Sequence, residues 1–331
     1  MFGNPRSYNR ALVLISVAVV IVAYYFSGRI RGLLPLASSA TSAITTPRSL
    51  NLYTSKAMST KAPVYFVSHG GPNTMFDTKH PVYPVLQKLG QEITQKVKPK
   101  AIVVFSAHWE AGPRNIEVNN AVKTDLIYDY YGFPPEYYKV QYPNRGDPEL
   151  ASKIIGLLQN AGIKAEGVKR GLDHGVYVGF SVAFHPEENP LNIPIVQVSQ
   201  YDSQDVDLHY ELGRAVAALR DENIVIIGAG MSVHNLYDLR MAYGRPQPLP
   251  YVVSFDEALR PAMEAPPSER QARMAEVAKR PDARQAHPRF DHLMPAYIAA
   301  GAAGEDTGKQ IWTHHESSMG WAMYRFGDLP A

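Results

Sequence analysis

Residues 101–110 read AIVVFSAHWE, an apolar run that closes on a histidine, a tryptophan and a carboxylate. Its first part, 101–106, is short, rich in β-branched residues and free of polar alternation, as expected of a strand covered on both faces. The same pattern recurs at 64–67, 195–199 and 224–227, whereas 81–97, 148–161 and 204–221 show helical spacing of their apolar residues. Strands alternating with helices in this way predict an α/β fold, a single domain on a central, mostly parallel sheet flanked by helices. The stretch 245–287, rich in proline and charge, reads as a loop and helix excursion of that domain, placed to cover a site.

Ahead of this body, residues 11–27 read ALVLISVAVVIVAYYFS, uncharged and flanked by Arg6, Arg10, Arg29 and Arg31. That length is at the lower limit for spanning a bilayer and just above a signal-peptide core. No acidic residue precedes Asp77, a composition that also suits an organelle transit peptide. We read 1–31 as an apolar anchor or targeting segment, 32–61, rich in Ser, Thr, Ala and Pro, as a flexible linker, and 62–329 as the folded domain. The leading placement is a protein anchored in a membrane by a single N-terminal helix. The alternatives are an organelle protein with a cleaved N-terminal segment and a cytoplasmic one.

Composition narrows the chemistry. With 45% hydrophobic and 19% charged residues among 331, the chain has ample material for a core. The net charge is +2 and its basic residues are scattered, so the electrostatic footprint of a nucleic-acid binder is missing and a small substrate is expected. There are no cysteines. Disulfides, thiolate-bound zinc, iron–sulfur clusters and thiol nucleophiles are thereby excluded, and a metal would have to be held by His, Asp or Glu.

The histidines are informative by position. His69 follows the first expected strand in VSHGGP, His108 the second in FSAHWE, and His234 comes shortly after the fourth in IIGAGMSVHNL. In open α/β sheets, ligands bind outside the carboxyl ends of the strands, so these residues can converge on one metal at that end. Taken singly, a histidine after a strand is more often a cap or a satisfied hydrogen-bonding residue. Gly70, Gly71, Gly228 and Gly230 would permit tight loops and close backbone approach there. His174 in GLDHGVYV and His292 in HPRFDHLMP each follow an aspartate, which is weak support for a pair because adjacent side chains diverge. His80, His185, His209, His287, His314 and His315 read as surface or structural residues.

The segments SHGGPNTMFD, AIVVFSAHWE, YYGFPPEYYKVQYPNRGDPELA, GLDHGVYV, IPIVQVS, GAGMSVHNL, DHLMPAYIAAGA and SSMGWAMYRFG, in that order, resemble those of the LigB-type class III extradiol dioxygenases, particularly the DOPA 4,5-dioxygenase branch. The resemblance implies an enzyme that opens a small aromatic diol with O2 at one divalent metal, Fe(II) or Zn(2+), and a muconic semialdehyde-type product. It also implies His69, His108 and His234 as metal ligands, His292 as a fourth ligand or a partner behind them, and His174 as the acid–base. A third histidine in place of a carboxylate also suits zinc. Gly71 and Met231 stand where relatives often carry Ser and Asn. The aromatic run Tyr128, Tyr130, Tyr131, Phe133, Tyr137 and Tyr138 offers stacking surface or plain core packing. Two other readings use the same residues: a zinc hydrolase with Asp173 or Glu110 as base, and a membrane-tethered binding protein with a structural metal.

Overall fold

The computed structural model describes residues 61–330. Strand β1 (Val64–Ser68) leads through helix α1 (Val82–Gln91), which widens into a π-helical turn over Glu92–Val97, to β2 (Ala101–Glu110). Next come β3 (Asn115–Asn119), β4 (Leu126–Ile127), α2 (Pro148–Asn160), β5 (Lys164–Val168), β6 (Leu172–Asp173) and α3 (His174–Ala183). Then β7 (Ile195–Gln200), α4 (Val206–Val216), β8 (Ile224–Gly230), β9 (Val233–His234) and α5 (Leu236–Ala242) follow. Helices α6 (Pro250–Met263), α7 (Pro267–Val277), α8 (Ala283–Ala286) and α9 (Met294–Ala302) precede β10 (Gly308–Trp312), β11 (His315–Glu316), β12 (Met319–Gly320) and β13 (Met323–Phe326).

An eight-stranded sheet runs in the order β10-β13-β1-β8-β2-β7-β3-β5. Its centre, β1-β8-β2-β7, is parallel, while β13 joins β1 and β3 joins β7 antiparallel. The expected strands at 64–67, 101–106, 195–199 and 224–227 are this centre. Alternation along them sorts the core into two layers: Val64, Phe66, Val103 and Phe105 face one, and Tyr65, Val67, Ile102 and Val104 the other. Parallel strands end on the same side, so the residues after β1 and β8 and the last part of β2 share one end of the sheet. His108 lies within β2, which runs on to Glu110, rather than after it.

Caps set helix starts locally. Asp147 accepts from the backbone N–H groups of Glu149 and Leu150, with Pro148 at the first helical position, and Asp205 accepts from Leu208. Helices α3 and α9 escape sequence reading because they are apolar all round: all but one residue of α3 and every residue of α9 are buried, so neither shows a polar face. Helix α9 crosses α4 at backbone contact. A Cβ on Gly213 would sit 2.0 Å from the Ile298 carbonyl oxygen, and one on Gly301 would sit 1.9 Å from that of Tyr210.

Two expectations are corrected. The stretch 245–287 forms α6, α7 and α8, but among the described residues none of it lines the cavity described below. Its apolar residues instead extend the sheet's core. The membrane placement is not carried either: among the described residues no helix is long and apolar enough to cross a membrane. The segment 11–27, and the expected linker 32–61 except for its last residue, lie outside the described residues.

Because the α4–α9 crossing has no room for a methyl group, Gly213→Ala should destabilise the fold by about 1–3 kcal/mol through overpacking. Urea unfolding should show a lower midpoint with an unchanged slope; a midpoint equal to that of the native chain would mean that the crossing opens at no cost.

Candidate active site

The end of the sheet holds a cavity of about 660 Å³. His69, His108, His174, His234 and His292 all line it. Hydrogen bonds assign the tautomers of His69 and His174. His69 Nδ1 lies 2.6 Å from the Gly70 carbonyl oxygen and so donates, which leaves the lone pair on Nε2. That Nε2 is buried with no hydrogen-bond partner among the described residues. His108 Nδ1 lies 3.3 Å from Asp129 Oδ2, turning Nε2 to within 3.1 Å of His292 Nε2. Ligand atoms of His69, His108 and His292 all lie within 4.8 Å of one another. A buried lone pair without a donor, beside two imidazole nitrogens facing each other, is a donor set that fits a divalent ion.

His234 stands differently. Its ring stacks on that of His292, with centroids 3.5 Å apart and planes within 8°. Lone pairs in two such planes run side by side and do not meet at a point. The structure therefore gathers His69, His108 and His292, and keeps His234 against the face of His292.

His174 opens α3, and Asp129 holds it twice over: one carboxylate oxygen takes the backbone N–H at 3.0 Å and Nδ1 at 2.8 Å. Nε2 of His174 is left as a base. Asp129 thus bridges His108 and His174, whose ring centroids are 3.9 Å apart. Sequence reading missed this residue, since an aspartate inside a tyrosine run carries no spacing signal. Within that run, Tyr130, Tyr131 and Phe133 line the cavity, while Tyr177 donates to the Tyr130 hydroxyl at 3.1 Å behind it.

Burial governs the protonation of the cluster. It lowers His69 and His292 well below 6.5, with the neighbouring imidazoles adding to the effect, and brings His234 down to about 3. Burial also lowers His174, against the pull of Asp129. For Asp129 burial acts upward, but the hydrogen bonds from His108 and His174 outweigh it and hold the carboxyl well below its usual range. His292 Nδ1 lies 3.2 Å from Asp291 Oδ2, yet the contact lacks hydrogen-bond alignment and Nδ1 counts as unsatisfied.

The loops explain some of the glycines. Gly70 has φ +69°, and a Cβ there would meet Trp321 at 2.6 Å, whereas Gly71 has open space and no such need. Met231 Sδ accepts from the Gly70 N–H at 3.4 Å. The carboxylates proposed as bases for hydrolysis are committed elsewhere. Asp173 is fully buried and takes Ser106, Arg170 and Gln197, and Glu110 is held by Arg289. Neither lines the cavity. His209 and His287 are buried structural residues bonded to backbone carbonyls, but His80, expected to be structural, lines the cavity.

Residues 57–326 match the family described as the catalytic LigB subunit of aromatic ring-opening dioxygenase. The chain belongs to the LigB family. A 4,5-DOPA dioxygenase extradiol of Beta vulgaris is 35% identical over 79% of this chain and 95% of its own length. One from Escherichia coli is 31% identical over 74% and 86%. The crystal structure of an uncharacterized Escherichia coli K12 protein superposes with a TM-score of 0.63 at 27% identity, covering 81% of this chain and all of that one. This LigB chain is accordingly an oxidoreductase, an extradiol dioxygenase. LigB dioxygenases use a mononuclear metal, and a histidine cluster is present here.

The neutral rings make stability depend on pH. Unfolded, His69, His174, His234 and His292 take protons below their ordinary value of 6.5, and the folded protein binds fewer. The unfolding free energy should then fall with pH below about 6.5, and the His234 contribution should keep falling to about pH 3. Urea midpoints of the metal-free protein should drop between about pH 7 and about pH 5. Equal midpoints across that window would show that the rings charge inside the fold.

Proposed function

We propose that this enzyme opens a catechol-type ring, DOPA-like or another dihydroxy-aromatic, with O2 at one iron(II) ion held by His69, His108 and His292. The observation that carries the reading is the geometry: ligand atoms of these three rings lie within 4.8 Å of one another beside His174, whose own Nδ1–H is engaged by Asp129. Residues 62–329 form the catalytic domain in this reading. When bound, the metal supplies Lewis acidity toward the diol and an electron path between the ring and dioxygen.

The protein's part is proton handling and positioning. His174 Nε2, neutral near pH 7, takes a hydroxyl proton from the diol, and the Asp129 carboxylate stabilises the resulting imidazolium. The same ring returns the proton as the ring opens, and both atoms of dioxygen end in the product. Tyr130, Phe133, Met231 and Trp321 give the cavity apolar walls that suit an aromatic substrate and limit water.

The test is oxygen uptake by the full-length protein, reconstituted anaerobically with iron(II) or with zinc, on catechols including DOPA and protocatechuate. Iron-dependent uptake with a yellow ring-opened product is expected. His174→Ala should lower the rate by roughly 10²–10⁴ with the metal retained. His69→Ala, His108→Ala and His292→Ala should lose the metal. His234→Ala should keep it with affinity weakened about 10-fold, as for a residue that orients a ligand; complete loss of metal in His234→Ala would move it into the ligand set. No uptake with any catechol under either metal would sink the reading.

A further inference from the structure

The cavity that holds the histidines is also lined by Glu316, His80 and Trp321. His80 Nε2 reaches Glu316 Oε1 at 2.9 Å, and the Trp321 indole N–H donates to the same oxygen at 3.0 Å. His80 can only donate there, because its Nδ1 accepts the Val82 backbone N–H at 3.2 Å. Ligand atoms of His80, His314 and Glu316 lie within 4.8 Å of one another, but with both its ring nitrogens committed His80 has no lone pair for an ion. A second metal is therefore a poor reading of this cluster. It is a device that orients a carboxylate.

The orientation leaves one oxygen over. Glu316 Oε2 makes no hydrogen bond among the described residues, and His314 Nε2 stands 4.0 Å away. Burial acts upward on the Glu316 carboxyl, but the His80 and Trp321 hydrogen bonds and the neighbouring histidines outweigh it and keep it ionised at neutral pH. The indole that holds it spans a defined gap: its far edge packs where a Cβ on Gly70 would be, next to His69, while its N–H end meets Glu316. Glu316 and the imidazoles thus line one cavity, with the indole that holds the carboxylate packed on the loop that carries His69.

The charge around the cavity points the same way. Its carboxylate lining is Asp77, Asp129, Asp291 and Glu316; among the described residues no lysine or arginine lines it. Asp129 is engaged by His108 and His174, and Asp77 accepts from the Lys79 backbone N–H. A substrate arm ending in a carboxylate would find no cationic side chain here, and one ending in an ammonium would find an ionised, pre-oriented acceptor.

We propose that Glu316, held by His80 and Trp321, is a specificity-determining residue that receives the protonated amine on a short arm of the catechol, so that the enzyme prefers aminoalkyl catechols to catechols bearing an acidic arm. The assignment rests on the catechol reading above. It is tested by anaerobic calorimetry on the metal-loaded, full-length protein with probes that share one ring and differ in the end of the arm: 2-(3,4-dihydroxyphenyl)ethylammonium, 4-ethylcatechol and 3,4-dihydroxyphenylacetate. The ammonium probe should bind about tenfold tighter than 4-ethylcatechol, with the acid weakest, and added salt should shrink that ratio. In Glu316→Gln, whose amide oxygen can still accept from His80 and Trp321, the ratio of ammonium to ethyl affinity should fall to about one. A ratio unchanged in Glu316→Gln, or tightest binding of the acid, overturns the assignment while the catechol reading stands. Failure of all the probes to bind overturns both.

Discussion

The site depends on the closeness with which the segment leading into α9 lies on the sheet. A Cβ on Gly228 would sit 2.1 Å from the Pro295 carbonyl oxygen, and one on Gly230 would sit 2.3 Å from that of His292. The Met231 N–H closes the contact by donating to the same His292 oxygen at 2.9 Å. No side chain fits between, so the chain before α9 is pressed onto the end of β8, and His292 arrives beside residues far away in sequence. On the other side of β8, the parallel register with β1 puts Ser68 opposite Gly230, and the His69 N–H donates to the Gly230 oxygen at 3.0 Å. One strand end thereby anchors both His69 and His292.

Within that frame the chemistry follows from dielectric and tautomer. Burying imidazoles together disfavours charge on any of them, which keeps lone pairs available. The direction of each lone pair is then set by what the other ring nitrogen donates to, a carbonyl for His69 and Asp129 for His108 and His174. Among the described residues Asp129 is the one anion that touches two of these rings, and it separates their duties. It turns His108 toward His69 and His292 and leaves His174 with a free nitrogen facing the cavity. Asp173, next to His174 in sequence, points instead into the protein, where Ser106, Arg170 and Gln197 hold it.

The cavity walls divide by element. The imidazole side comes from the ends of β1 and β2 and from the start of α3, with His234 on β9 and His292 ahead of α9. Glu316 and Trp321 come from the β11–β12 hairpin and the residue after it, and β12 pairs with β9 so that Met319 lies opposite His234. The hairpin is thus tied to the imidazole cluster through a strand pair as well as through the indole on Gly70. A change of residue in that hairpin alters what the cavity accepts without touching the rings themselves, a separation of recognition from chemistry common in folds that carry sites on loops.

The sequence by itself determined the α/β class, the parallel centre of the sheet and the positions of His69, His108 and His234 near the cavity end. Apolar β-branched runs between amphipathic helices admit few other packings, and a residue just after or late in a parallel strand falls at that end. The ordered segments that carry the resemblance also cover most of the stretch that the LigB family matches. What only the tertiary structure decided were choices made by non-local contact. His292 joined His69 and His108 while His234 stacked on it, because the Gly228 and Gly230 approaches, invisible as spacing, fix where α9 begins. Asp129, Glu316 and His80 became site residues through hydrogen bonds between segments distant in sequence. Helices α3 and α9 lacked a polar face to mark them, since a helix buried on all sides loses the amphipathic period that sequence reading relies on.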